Sequence, residues 1–297
     1  MSLKKNLLFI NLLFKFGSLR NKISNSEVIT AVNPNIVNKS FTSLWFLFKK
    51  KMTRNIIIFN LWASFAYIKT SLFHQATYVI VDHLKLIYTR MPKAASTFIA
   101  YEMMRKIDPT LPPSFSDKQI NQISPYYTTL SIPNKKLNFV SFSTVRNPFH
   151  RIVAVYREFF NPNAPGNFIY ENYLFGILKK DMSFKEFIDT IDFIPDFLKD
   201  RHFKPQSFIL KEVREKTEVQ IFKLEDDSEM LQAFLEEFGL SMPQQEQNSK
   251  SYDYRFYYDM AIAQKVRNIY FQDIKDFAYE NIWENLVNSI KTRRANG

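Results

Sequence analysis

The sequence predicts an α/β fold built on a largely parallel sheet with crossover helices. Three observations carry that reading. From about residue 77, short apolar strand-like runs alternate with stretches of helical periodicity. Two of those runs end in turns bearing a cation and lead straight into a helix. The composition, 46% apolar with only five glycines, is that of a globular chain. At 297 residues the chain can form one large domain or two small ones.

Residues 1–75 read as an N-terminal basic and apolar segment, and residues 76–297 as the domain. Within the segment, Leu7–Phe14 is apolar but short, and Asn- and Ser-rich sequence follows from 21 to 43. Lys49-Lys-Lys-Met-Thr-Arg54 then precedes Ile56–Ile68, a positive flank before a mostly apolar run. That is the layout of a signal or anchor, but a spanning helix needs about 20 residues. Residues 49–68 therefore admit a weak membrane association or a buried or interfacial helix. Met52 also reads as an alternative start, which would leave residues 1–51 outside the native chain.

Leu84–Thr89 is predicted as a buried strand. Ile99, Met103 and Ile107 recur at i, i+4 and i+8, giving the next helix one apolar face, and Pro109, Pro112 and Pro113 end it. Residues 109–136 read as an irregular connection rich in Pro and Tyr. Phe139–Val145 is the next strand, followed by a helix that turns Ile152, Tyr156 and Phe159 inward. Val219–Leu224 is a third strand, and Met230–Phe238 a helix stopped at Gly239. One long amphipathic helix from Asp259 to Tyr279 closes the domain.

The net charge of +11 suggests a nucleic-acid partner, but its distribution argues against one. Residues 1–54 hold ten Lys/Arg against Glu27 alone, so the other 243 residues hold 30 basic and 28 acidic side chains. The domain is nearly neutral, and its cations are expected in a ligand cleft. The chain has no cysteine, which excludes disulfides and thiolate metal sites and fits a reducing compartment. His74, His83, His150 and His202 lack metal-ligand spacing, so no metal site is expected.

The segment Lys85-Leu-Ile-Tyr-Thr-Arg-Met-Pro-Lys-Ala-Ala-Ser-Thr-Phe-Ile99 is a strand, a tight turn and a helix start. A helix's first amides have no partner inside the helix, and its dipole favours an anion there. Lys93 adds a point charge and Ser96 and Thr97 add hydroxyls, making a phosphate cradle of residues Pro92, Lys93, Ala94, Ala95, Ser96 and Thr97. It is not a Walker A loop, because Gly-x-x-x-x-Gly-Lys is absent and Lys93 precedes the hydroxyls. A second strand-to-helix turn, Phe142-Ser-Thr-Val-Arg-Asn-Pro-Phe-His-Arg151, offers Arg146 for bidentate phosphate capture, with Pro148 suited to the first helical turn. Two such turns suit a ligand with two separated phosphate or sulfate groups.

Met91-Pro-Lys-Ala-Ala-Ser-Thr97 and Thr144-Val-Arg-Asn-Pro-Phe-His-Arg-Ile-Val-Ala-Val-Tyr156 resemble the two donor-binding elements of sulfotransferases. The likeness is to the Golgi-type carbohydrate group and its bacterial relatives, whose donor is 3′-phosphoadenosine 5′-phosphosulfate (PAPS). Asp200-Arg-His-Phe-Lys-Pro-Gln206, Phe222-Lys-Leu-Glu-Asp226, Asn248-Ser-Lys-Ser251, Tyr270-x-x-Asp273 and Phe277-Ala-Tyr279 extend the likeness in the same order, over about residues 78–283. The resemblance implies a P-loop-like three-layer fold with a central, mostly parallel sheet flanked by helices. It implies sulfuryl transfer from PAPS to a hydroxyl, on a carbohydrate, with 3′-phosphoadenosine 5′-phosphate (PAP) released and no metal.

On that resemblance Lys93, Ser96 and Thr97 would hold the 5′-phosphosulfate and Arg146 the 3′-phosphate, while Lys93 would neutralise charge on the leaving phosphate. His202 is the first candidate for the base that deprotonates the acceptor, and Glu102 the second. Where the family has a serine eight residues after the arginine, this chain has Ala154. One lost hydrogen bond to a charged group costs about 1.5–3 kcal/mol, for which Ser249 or Lys250 could compensate. Arg151 is expected to be structural. Tyr126, Tyr127, Tyr252, Tyr254, Tyr257 and Tyr258 are candidates to stack on sugar rings. A nucleotide-dependent kinase using the same cradle, or a non-catalytic PAP- or glycan-binding protein, stands as the alternative.

Overall fold

The computed structural model describes residues 76–161, 169, 170, 173–241 and 252–295. Its strands are β1 (Tyr78–Val81), β2 (Leu86–Thr89), β3 (Thr128–Thr129), β4 (Val140–Val145) and β5 (Gln220–Lys223). Between β2 and β3 lie α1 (Ser96–Ile107) and α2 (Asp117–Tyr127). Between β4 and β5 lie α3 (Pro148–Phe159), α4 (Phe184–Phe193) and α5 (Gln206–Arg214). After β5 come α6 (Ser228–Glu237), α7 (Met260–Ile269), α8 (Phe271–Asp276) and α9 (Glu280–Ala295).

The sheet order is β3-β1-β2-β4-β5. β2, β4 and β5 are parallel neighbours, β1 runs against β2, and β3 runs against β1. Four of the five strands thus point the same way, as the sequence pattern predicts. β2 is buried on both faces because its residues, Leu-Ile-Tyr-Thr, sit between two helical layers. On one side Leu86, Tyr88, Phe142 and Phe222 pack with α1, α2 and α6. On the other Ile87 and Val145 pack with α3, α4, α5, α7 and α9. The result is three layers, with the C-terminal ends of β2, β4 and β5 along one edge.

Three expectations are corrected. The stretch 109–136 is not irregular throughout: it contains α2, started by a reciprocal cap in which Gln119 N–H donates to Ser116 Oγ and Ser116 N–H to Gln119 Oε1. It also supplies β3, which pairs with β1. The helix expected over Asp259–Tyr279 breaks at Tyr270, whose backbone leaves helical geometry (φ −108°, ψ 24°) while its hydroxyl donates to Phe203 O at 2.7 Å. The strand expected over Leu84–Thr89 is β2 and begins at Leu86, because residues 82–85 turn the chain from β1 into β2. Gly239 does stop α6, at φ +64°.

Candidate active site

Past β2 the chain makes its turn without glycine: Lys93 and Ala95 both adopt left-handed backbone, at φ 66° and 56°. That geometry costs an L-residue about 1–2 kcal/mol each and persists only where surrounding bonds impose it. Those bonds are present. Thr144 on β4 donates its hydroxyl to Ala94 O at 2.5 Å, and Arg146 Nη1 donates to Lys93 O at 3.2 Å. Arg151 Nε donates to Pro92 O at 3.0 Å.

Ala95 then caps α1 with no side-chain acceptor, and the helix's first turn holds no acidic residue. The first amides of α1 are therefore left for an external acceptor, beside the hydroxyls of Ser96 and Thr97. The Lys93 ammonium touches the Glu158 carboxylate and lies 5.3 Å from the Phe159 ring centroid. Burial pulls Lys93 down to about 8, with Asp117 opposing and Arg146 and Arg151 adding to the fall. The Glu158 carboxylate favours the charged form, so Lys93 is a cation at neutral pH.

Arg146 ends β4 and is fixed through its backbone. Gln206 Oε1 accepts from Arg146 N–H at 2.9 Å, and Gln206 Nε2 donates to Arg146 O at 2.8 Å. Asn147 accepts from the amides of Phe149 and His150, capping α3 ahead of Pro148. Glu225, just past β5, accepts from Asn147 N–H at 2.9 Å and from Tyr279 at 3.0 Å. The Arg146 guanidinium lies 2.9 Å from a ring nitrogen of His150, which stacks on Tyr254 at 5.0 Å. Burial and then Arg146 lower His150 to about 4, with Arg157 adding and Asp253 opposing, so it is a neutral acceptor for the guanidinium.

Arg151 is buried and ties two segments together. Besides Pro92 O, it donates to Lys204 O and Arg201 O, each at 2.9 Å. This anchors the loop that carries His202. His202 Nδ1 lies 2.7 Å from Asp200 Oδ1, which also accepts from His202 N–H at 2.9 Å and from Tyr170 at 3.1 Å. Burial alone would raise Asp200, but the His202 contacts and nearby Arg201 hold it well below the usual carboxylate range. Burial lowers His202, partly opposed by Asp200. A neutral imidazole donating Nδ1–H to an ionised Asp200 leaves Nε2 as a free base. The Phe159 ring sits 5.2 Å from the His202 ring, and so touches both His202 and the Lys93 ammonium.

Tyr270, Asp273 and Tyr279, from the later segments of the sequence likeness, act as supports. Asp273 is wholly buried and accepts from the amides of Gln206 and Ser207 and from the Ser207 hydroxyl, capping α5 from a distant element.

Lys93, Arg146 and His202 are thus brought to one edge of the sheet. Glu102 is not among them: its carboxylate is engaged by Arg105 at 3.1 Å and by Ser241 N–H at 3.3 Å. Ser249 and Lys250 lie outside the described residues, as does the 49–68 stretch. Tyr127 and Tyr258 are buried and bonded to Asp108 and Phe149 O, which removes them as sugar-stacking surfaces. Glu158, Arg157 and Tyr170 join the site without having been expected from the sequence. The first two carry a signal, since His150, Ala154, Arg157 and Glu158 follow a helical spacing along α3. Nothing in the sequence points to Tyr170.

Among the described residues no helix is long and apolar enough to cross a membrane, and no group of three or more His, Cys, Asp or Glu could hold a metal ion. A family model described as the Sulfotransferase family matches residues 76–280. No curated protein matches the chain, and no solved structure does.

Proposed function

The chain belongs to the sulfotransferase family, and on that premise we propose that it moves a sulfuryl group from PAPS to a hydroxyl of a carbohydrate acceptor. The observation that carries the donor assignment is the convergence of Lys93 and Arg146. Two cations at the ends of neighbouring parallel strands are joined by the Arg146 bond to Lys93 O at 3.2 Å. Each opens onto the start of a helix, and PAPS has two separated anionic groups to match.

In this reading the α1 amides, Ser96, Thr97 and Lys93 hold the 5′-phosphosulfate, and Arg146 holds the 3′-phosphate. His202 Nε2 takes the acceptor's hydroxyl proton as that oxygen bonds to sulfur. The sulfur–oxygen bond to the 5′-phosphate breaks, and its electron pair stays on the phosphate oxygen, where Lys93 offsets the new charge. Asp200 holds the His202 tautomer through the reaction. The carbohydrate acceptor follows the sequence resemblance.

Calorimetric titration of the full chain with PAP, beside Lys93→Ala and Arg146→Ala, tests the donor assignment. Saturable binding that both substitutions weaken by tenfold or more is expected. Folded wild-type protein that does not bind PAP would end the PAPS reading.

A further inference from the structure

Helix α3 presents His150, Ala154 and Arg157 along one stripe, and two of these three touch Tyr252. The His150 and Tyr252 ring centroids are 5.4 Å apart, edge to face, and the Arg157 guanidinium lies 3.6 Å from the Tyr252 centroid. Arg146 approaches the other side of His150 at 2.9 Å. One chain of contacts therefore runs Arg146, His150, Tyr252, Arg157. Ala154, partly exposed, puts only a methyl group on the stripe between His150 and Arg157.

The charges in this cluster do not balance. Among the described residues neither Arg146 nor Arg157 meets a carboxylate, whereas Arg105, Arg214 and Arg255 each do. Arg146 uses a backbone carbonyl and a neutral imidazole, and Arg157 uses only the ring beneath it. The Tyr252 hydroxyl is buried and has no hydrogen-bond partner among the described residues. Burial raises its pKa while Arg146 and Arg157 both act to lower it, so both cations stand near that oxygen. A buried, unpartnered donor beside two cations lacking a counter-charge is complete only with an anion present.

We propose that Arg146, Arg157 and the Tyr252 hydroxyl form one subsite for a dianionic phosphate monoester, the 3′-phosphate of the donor, with Arg157 and Tyr252 supplying the contacts that Ala154 cannot. The proposal rests on the PAPS reading above. Arg157 follows Ala154 by one turn on α3, and stacking on Tyr252 holds its planar guanidinium in place before the ligand arrives.

The test is calorimetric titration of the full chain with PAP and with adenosine 5′-phosphate, which lacks the 3′-phosphate. Wild type, Arg157→Gln and Tyr252→Phe are compared; the phenylalanine keeps the stacking ring and removes only the hydroxyl. PAP affinity is expected to fall about 10- to 100-fold in Arg157→Gln and less in Tyr252→Phe. Adenosine 5′-phosphate affinity should be unchanged in both. An equal loss for the two nucleotides would reduce the pair to a structural staple and overturn the subsite. Wild type preferring PAP, with neither variant changing that preference, would place the 3′-phosphate elsewhere and also overturn it. Wild type binding neither nucleotide would bring down the donor reading, and the 3′-phosphate subsite with it.

Discussion

Replacing Arg151 by methionine tests whether the site depends on one buried guanidinium. The side chain is about 1% exposed and donates to three carbonyls, Pro92 O at 3.0 Å and Lys204 O and Arg201 O at 2.9 Å each. A hydrogen bond from a charged donor is worth about 1.5–3 kcal/mol in isolation. Methionine fills similar space and ends the desolvation of a guanidinium that has no carboxylate in contact among the described residues, which offsets part of that loss. The net destabilisation expected is about 3–5 kcal/mol, the range seen when one side of a buried charged contact is removed. For a domain of this size that lowers the melting temperature by about 6–20 °C. The assay is urea unfolding followed by tryptophan fluorescence, with Arg151→Lys as the comparison. Lysine keeps the charge but cannot bridge all three carbonyls, so it should fall between wild type and methionine. A loss below about 1 kcal/mol for Arg151→Met would mean that desolvation cancels the bonds and that the turn and the His202 loop are held by other contacts.

The remaining predictions concern the site. Because burial pulls Lys93 down to about 8 and it must be charged to hold an anion, PAP affinity should be nearly level between pH 7 and 7.5 and fall as pH rises through 8. Lys93→Arg, which does not titrate there, should flatten that profile when binding is measured across pH 7–9.5; an unchanged slope would assign the titration to another group. Glu158 pairs with the Lys93 ammonium and is about half exposed, so an exposed-pair magnitude applies. Glu158→Gln should tighten PAP binding about two- to fivefold, and weaker binding would show that the carboxylate assists the donor rather than competing with it. Asp200→Asn removes the acceptor that keeps the His202 proton on Nδ1. It should lower kcat by about 100-fold or more with PAP affinity unchanged; turnover within tenfold of wild type would remove the dyad from the mechanism.

The sequence by itself determined the layered α/β fold, the strand-to-helix turn around Lys93 and the position of Arg146. These depend on interactions close along the chain: a buried strand reads as an apolar run, and a helix start as hydroxyls, Pro148 or an Asn cap. The same locality made Ser116 and Gln119 a legible cap for α2, although the prolines around it pointed to loop. What ended the predicted 259–279 helix was not local. Tyr270 breaks it to reach Phe203 O, a partner 67 residues earlier.

The tertiary structure alone decided which residues meet. Gln206 clamps Arg146 across 60 residues, Asp273 caps α5 across 67, and Arg151 joins the turn to the His202 loop across more than 50. It separated Glu102 from the site by giving its carboxylate to Arg105 and Ser241, and it set Arg157 against Tyr252. Strand and helix propensities act over a few residues and leave their pattern in the sequence. A buried donor must find its acceptor wherever the packed chain places one, and that pairing exists only once the layers have closed.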